Sequence, residues 1–151
     1  ETKFYNKELK KNLLYFNFTT QTTNNPLYNC HKNIRRDVKS ALLKKFKWIE
    51  NQEFEEYIKT LQKYKFCICP PGRGIDTHRC WEALMVGTIP IVLSSPLNSL
   101  YINLPVLVLE NLSIITEEYL NIEYSNLINQ KYKFERLYSH FWKNELLKEI
   151  L

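Results

Sequence analysis

The chain has 151 residues, 44% hydrophobic and 25% charged, the size and composition of about one globular domain, which excludes disorder throughout. No apolar run nears the roughly 18 residues of a membrane span, residues 1–12 (ETKFYNKELKKN) lack the apolar core of a signal peptide, and four cysteines do not make a disulfide scaffold at this length. The net charge of +5 is uneven, +7 over residues 1–50, zero over 51–100 and −2 over 101–151, so the basic third favours either an anionic partner or a plainly solvated lysine face.

In chain order, Leu13-Leu14-Tyr15-Phe16-Asn17-Phe18 reads as a strand rich in aromatics. A polar stretch over residues 19–33 follows, long for a connection and in keeping with a binding loop. Ile34, Val38, Ala41, Leu42 and Phe46 make a helical stripe with Asn33 as its N-cap, and Lys47-Trp48-Ile49 reads as a short strand. Phe54, Tyr57, Ile58 and Leu61 repeat at helical spacing, with glutamates early and lysines late as the helix dipole prefers. Phe66-Cys67-Ile68-Cys69 is a buried strand stopped by Pro70-Pro71. A glycine loop then enters a helix over 78–86 that Gly87 closes. Strands over 88–93 and 105–109 and helices over 113–129 and 132–150 complete the chain. This alternation predicts an α/β fold, a Rossmann-like parallel sheet flanked by helices, in a single domain over residues 1–151.

Asn, Lys, Ile and Tyr make up 54 residues, the drift of an AT-rich genome, so lone lysines and asparagines carry little weight. Glycine and arginine run against that drift. All three glycines (Gly72, Gly74, Gly87) and two of the five arginines (Arg73, Arg79) fall within residues 72–87. Strand, glycine turn and helix start form the grammar of an anion site, where free N–H groups and the helix dipole meet a phosphate. Gly72 and Gly74 would let the backbone approach the anion, and Asp76 or Thr77 would cap the helix. At 100° per residue His78, Arg79 and Glu82 share one side, with Cys80, Ala83 and Leu84 buried opposite. A cation for phosphate and a carboxylate for two ribose hydroxyls suit a nucleotide diphosphate; the alternative is a surface Arg–Glu pair one turn apart. The dinucleotide fingerprint fails at Thr77, where its third glycine belongs, and neither a P-loop nor a hydrolase elbow is present.

The string Pro70-Pro71-Gly72-Arg73-Gly74-Ile75-Asp76-Thr77-His78-Arg79-Cys80-Trp81-Glu82-Ala83-Leu84, then Gly87-Thr88-Ile89-Pro90-Ile91-Val92, resembles the nucleotide-sugar half of exostosin-like glycosyltransferases (family 47) and, more distantly, the α1,3-fucosyltransferases (family 10). The likeness is strongest over residues 65–109, where Leu104-Pro105-Val106 adds to it, and weaker over 14–38. It implies the C-terminal, donor-binding lobe of a GT-B enzyme that transfers a sugar with inversion, using no metal or other cofactor. The donor would be a UDP- or GDP-linked sugar. A glycan or protein acceptor and the general base would belong to an N-terminal lobe that these residues lack. Arg79 would pair with the donor diphosphate, Glu82 would hold the ribose, and Arg36 or its neighbour Arg35 would supply a second phosphate contact. Gly72, Arg73, Gly74 and Asp76 would shape the donor loop, with Thr77 and His78 at the helix start. No catalytic residue is named, since His78 better fits a capping or phosphate-contacting role.

Three further features have plainer explanations. Cys30-His31, Cys67-x-Cys69 and His78-x-Cys80 can be assembled into a zinc site only with unusual spacing, and buried free thiols are common. The sequons at Asn17 and Asn111 are expected by chance among 15 asparagines. Phe134, Leu137, Phe141, Trp142 and Leu146 would pack the final helix on this lobe, or carry it across to a second one. The rival to a glycosyltransferase is a basic anion- or nucleic-acid-binding module relying on Lys44, Lys45 and Lys47, although no nucleic-acid motif accompanies the charge.

Overall fold

Alternate residues of four short strands point to opposite faces of one sheet, and both faces are covered. In the computed structural model, which describes residues 10–20 and 32–150, the strands are β1 (Asn12–Tyr15), β2 (Tyr64–Ile68), β3 (Ile89–Leu93) and β4 (Leu107–Leu109). They lie in the order β1-β2-β3-β4, all parallel, with Leu14 beside Phe66, Phe66 beside Ile89 and Ile91 beside Leu107. Sheets buried on both faces need nearly continuous apolar strands, and Phe66-Cys67-Ile68 is wholly buried.

One face gathers Leu14, Phe16, Phe66, Ile68, Ile89, Ile91, Leu107 and Leu109 beneath α1 (Lys32–Leu42) and α4 (Glu117–Ile128). The other gathers Tyr15, Cys67, Cys69 and Val92 beneath α2 (Phe54–Leu61) and α3 (His78–Met85). The β1–β2 crossover therefore places one helix on each side. The last helix, α5 (Ser139–Ile150), follows a 3₁₀ turn at Phe134–Leu137 and rests Trp142 edge-on against Trp81, ring centres 6.4 Å apart.

The α/β sheet and its alternation agree with the expected fold. Three local expectations do not. Lys47-Trp48-Ile49 is no strand: the Ile49 amide donates to the Phe16 carbonyl at 3.0 Å, a single rung beside the end of β1. Asn33 lies inside α1 rather than capping it. Each of the two long C-terminal helices is preceded by a 3₁₀ turn, Leu112–Ile114 and Phe134–Leu137. Residues 21–31, most of the expected binding loop together with Cys30 and His31, lie outside the described residues.

Beneath the sheet, at the far end from the strands' carboxyl termini, Lys10 is buried. Its ammonium donates to the Thr88 hydroxyl at 2.9 Å and to the carbonyl of Val86, the C-cap of α3, at 3.2 Å. A cation suits a helix C-terminus. Gly87 follows in the left-handed region, φ 70°, and ends α3 there.

Candidate functional site

The carboxyl ends of β1 and β2 run out as Phe16–Thr19 and as Cys69-Pro70-Pro71-Gly72, and α3 starts beside them. Ligands of open parallel sheets bind at this end. Arg79, in the first turn of α3, lays its guanidinium over the rings of Tyr57 (5.3 Å) and Tyr15 (5.9 Å) and donates from Nη1 to the Asn17 carbonyl at 2.6 Å. Burial opposes its charge, but the polar groups of Cys67 and Tyr57 around it raise its affinity for the proton above the ordinary value.

Arg35, in the first turn of α1, reaches the same place from the opposite face. Its Nε donates to the Pro71 carbonyl at 2.8 Å, Nη1 to the Thr19 carbonyl at 2.8 Å and Nη2 to the Pro70 carbonyl at 3.2 Å. Burial, and then the Arg79 charge, lower its pKa. Two guanidinium ions that repel one another, held by carbonyls and aromatic faces and, for Arg79, by the Cys67 sulfur, have no carboxylate partner among the described residues. Among the described residues the one ion pair is Lys148–Glu145, far along α5. Arg79 and Glu82 therefore do not make the surface pair that was the alternative for them.

Glu82 is bound by a tyrosine instead. The Tyr57 hydroxyl of α2 donates to Glu82 Oε2 at 2.9 Å. Burial, then Cys67, pushes the Tyr57 hydroxyl far above its ordinary pKa, so it stays a donor. The half-buried carboxylate keeps Oε1, which accepts no hydrogen bond from a described residue.

The helix start is open. Thr77 holds the N-cap position with an extended backbone, yet its side chain caps nothing. Asp76 does not cap either. Its carboxylate accepts from the Trp81 indole (2.9 and 3.1 Å) and from the Tyr101 hydroxyl (3.0 Å), which fixes the end of the glycine loop. Uncapped first-turn N–H groups and the positive end of the dipole thus belong to the same turn of α3 as Arg79.

The remaining candidates sort by exposure. Gly72 is buried because the Arg35 guanidinium fills the volume a side chain there would need. Arg36, Arg73, Gly74 and His78 are exposed, and none of them makes a side-chain hydrogen bond to a described residue. Of the pair Arg35 and Arg36, then, Arg35 is the one brought to the site. A cleft of about 180 Å³ opens beside the glycine turn, lined by Cys69, Pro71, Ile75, Leu93, Ser95 and Tyr101.

Sequence reasoning missed Tyr57, Tyr15 and Asn17. Tyr57 was read as one more apolar member of a helical stripe; the available signal was its hydroxyl, which on a buried face needs a partner. Cys67, Cys69 and Cys80 are buried free thiols, and among the described residues no cluster of three His, Cys, Asp or Glu has metal-holding geometry. Asn17 is buried, its side-chain amide donating to the Ile49 carbonyl and to Asn51.

A family model of the exostosin GT47 domain matches residues 5–123. The chain belongs to that family: it carries a glycosyltransferase domain of GT-B type, which acts with a nucleotide-sugar donor and an acceptor. No curated protein matches it.

Proposed function

We propose that this domain binds a UDP- or GDP-linked sugar at the carboxyl ends of β1 and β2 and delivers the sugar to an acceptor hydroxyl with inversion and without a metal. The observation that carries the reading is the pair of half-buried arginines, Arg79 and Arg35, with no carboxylate partner among the described residues, Arg79 lying in the uncapped first turn of α3. A diphosphate placed there relieves their repulsion and meets free N–H groups. Glu82 Oε1 takes the ribose hydroxyls. Gly72 and Asp76 act from behind, by seating Arg35 and by anchoring the loop. Gly74, Arg73, Thr77 and His78 form the rim.

In the transfer, the acceptor oxygen attacks the anomeric carbon as the bond to the diphosphate oxygen breaks. The nucleotide diphosphate leaves with the electron pair, and a general base removes the acceptor proton. Negative charge grows on the leaving diphosphate, where two preorganised guanidinium ions stabilise it most; in this reading they do the work a divalent cation could do elsewhere. A GT-B enzyme has two such lobes and the described residues build one sheet. Residues 1–151 therefore act as a single donor-binding domain, and the acceptor site, for a glycan or protein, and the base are assigned to a second lobe.

A basic nucleic-acid module finds less support, because three cations of the basic third are engaged by the domain itself. Arg35 binds carbonyls, Lys39 lies 3.8 Å over the Trp48 ring, and Lys45 donates to the Ser113 and Ile115 carbonyls.

Thermal unfolding with UDP, GDP, CMP and ADP, each with and without EDTA, tests the reading. A nucleotide diphosphate at about 100 times its dissociation constant adds about 2.7 kcal/mol, several degrees in Tm for a domain of this size. One diphosphate raising Tm equally with and without EDTA is the expected result. A shift that EDTA abolishes overturns metal independence, and none with any nucleotide overturns donor binding.

A further inference from the structure

We propose that Tyr57 is the positioning residue of this site, setting the direction of the Glu82 carboxylate and so the preference for a ribonucleotide over its 2′-deoxy form. The inference rests on the donor-binding reading above and goes beyond it by naming a residue on a different helix as the source of ribose recognition. Tyr57 touches both side chains assigned to the ligand at once. Its hydroxyl donates to Glu82 Oε2 at 2.9 Å, and its ring face lies under the Arg79 guanidinium at 5.3 Å.

Neither contact is incidental to packing. Tyr57 and Leu61 form the buried face of α2, and the Tyr57 ring also meets Tyr15 in a T-shape at 5.7 Å. The ring is thus held by the core. Tyr15 is itself tied down, its hydroxyl donating to Gln52 at 3.2 Å. A rigid ring fixes where its hydroxyl ends, and that fixes which oxygen of Glu82 is engaged. With Oε2 occupied, the lone pairs of Oε1 are left to receive hydroxyl groups from a ligand. Without the tether, a glutamate on a helix surface samples several rotamers and loses part of its binding energy in being ordered. Burial keeps the Tyr57 hydroxyl protonated, so the tether holds over the whole neutral range.

Tyr57→Phe separates the two contacts. It keeps the ring, and with it the packing and the Arg79 contact, but removes the donor to Glu82. The experiment measures dissociation constants of wild type and Tyr57→Phe for UDP, GDP, the 2′-deoxy form of each, and inorganic pyrophosphate, with unfolding curves for both proteins. Wild type should prefer the ribonucleotide about tenfold, the loss expected for one hydrogen bond to a charged group. In Tyr57→Phe that ratio should fall towards one while pyrophosphate binds as before.

A variant that keeps the wild-type ratio overturns the inference and leaves the donor site standing. Equal weakening of pyrophosphate, ribo and deoxy forms overturns it too, because that is the mark of a merely structural residue. Wild type that binds both sugars alike overturns the inference and leaves donor binding standing, whereas wild type that binds no nucleotide overturns the donor reading and the inference with it.

Discussion

The Arg35 guanidinium occupies the space in which a side chain at position 72 would begin: a β-carbon built on Gly72 would stand 2.6 Å from Nη2 and 3.2 Å from Cζ. Three hydrogen bonds to the Thr19, Pro70 and Pro71 carbonyls hold that guanidinium in place. The glycine at the first position of the Gly72-Arg73-Gly74 turn is therefore explained by a neighbouring cation from α1, where a sequence reader expects an approaching ligand.

Gly72→Ala must push the Arg35 guanidinium aside, and the cost is that of the hydrogen bonds it gives up, about 1–3 kcal/mol. Arg35→Ala strips partners from three carbonyls and should cost about as much. Because the two changes act on one contact, the double variant should lose clearly less than the sum of the singles. Urea unfolding of the four proteins measures this, and strict additivity would count against the contact.

Arg36 is exposed one residue further along the same helix. Arg36→Ala should leave stability within about 0.5 kcal/mol of wild type and leave nucleotide binding unchanged, while Arg35→Ala lowers both. Equilibrium binding of UDP and GDP to the two variants distinguishes them.

Asp76 receives two donors, the Trp81 indole and the Tyr101 hydroxyl. Asp76→Ala removes the acceptor of both donors, leaving the Trp81 indole without a partner and the Tyr101 hydroxyl with Cys80 alone, at a cost of about 2 kcal/mol. Calorimetry should show the lowered Tm, and tryptophan emission should shift to the red as water reaches Trp81.

Lys10 gives a pH signature. Burial pushes its pKa down to about 8 from the ordinary 10.5. Between those values the unfolded chain binds more protons than the folded one, so this residue's contribution to stability rises with pH. Burial pushes the Tyr15 hydroxyl up to about 12; there the folded form holds its proton longer, and stability falls with pH above about 10. The comparison therefore belongs between pH 7 and 9.5. The stability difference between wild type and Lys10→Met, followed by urea unfolding, should move in favour of wild type across that window. A difference independent of pH would contradict the assignment.

What the sequence disclosed follows how local each feature is. The α2 stripe, the buried Cys67-Ile68 strand and the Gly87 stop depend on near neighbours, and they stand where periodicity and turn chemistry put them. So does the buried side of α3, Cys80, Ala83 and Leu84. The site resisted because its contacts join distant segments. Arg35 and Gly72 meet across the sheet's end, Tyr57 meets Glu82 between two helices, and Arg79 finds the carbonyl of Asn17, 62 positions away. Asp76, an apparent helix cap, serves Trp81 and Tyr101 instead, which one-dimensional capping rules have no means to anticipate.

The most direct measurement is isothermal titration of UDP and of GDP into wild type, Arg79→Ala and Glu82→Ala, with circular dichroism showing that each variant is folded. One nucleotide should bind wild type, and each folded variant should bind it about 10- to 100-fold more weakly, the loss expected for a hydrogen-bonded charge. Wild-type affinity in both variants would contradict the assignment of this site.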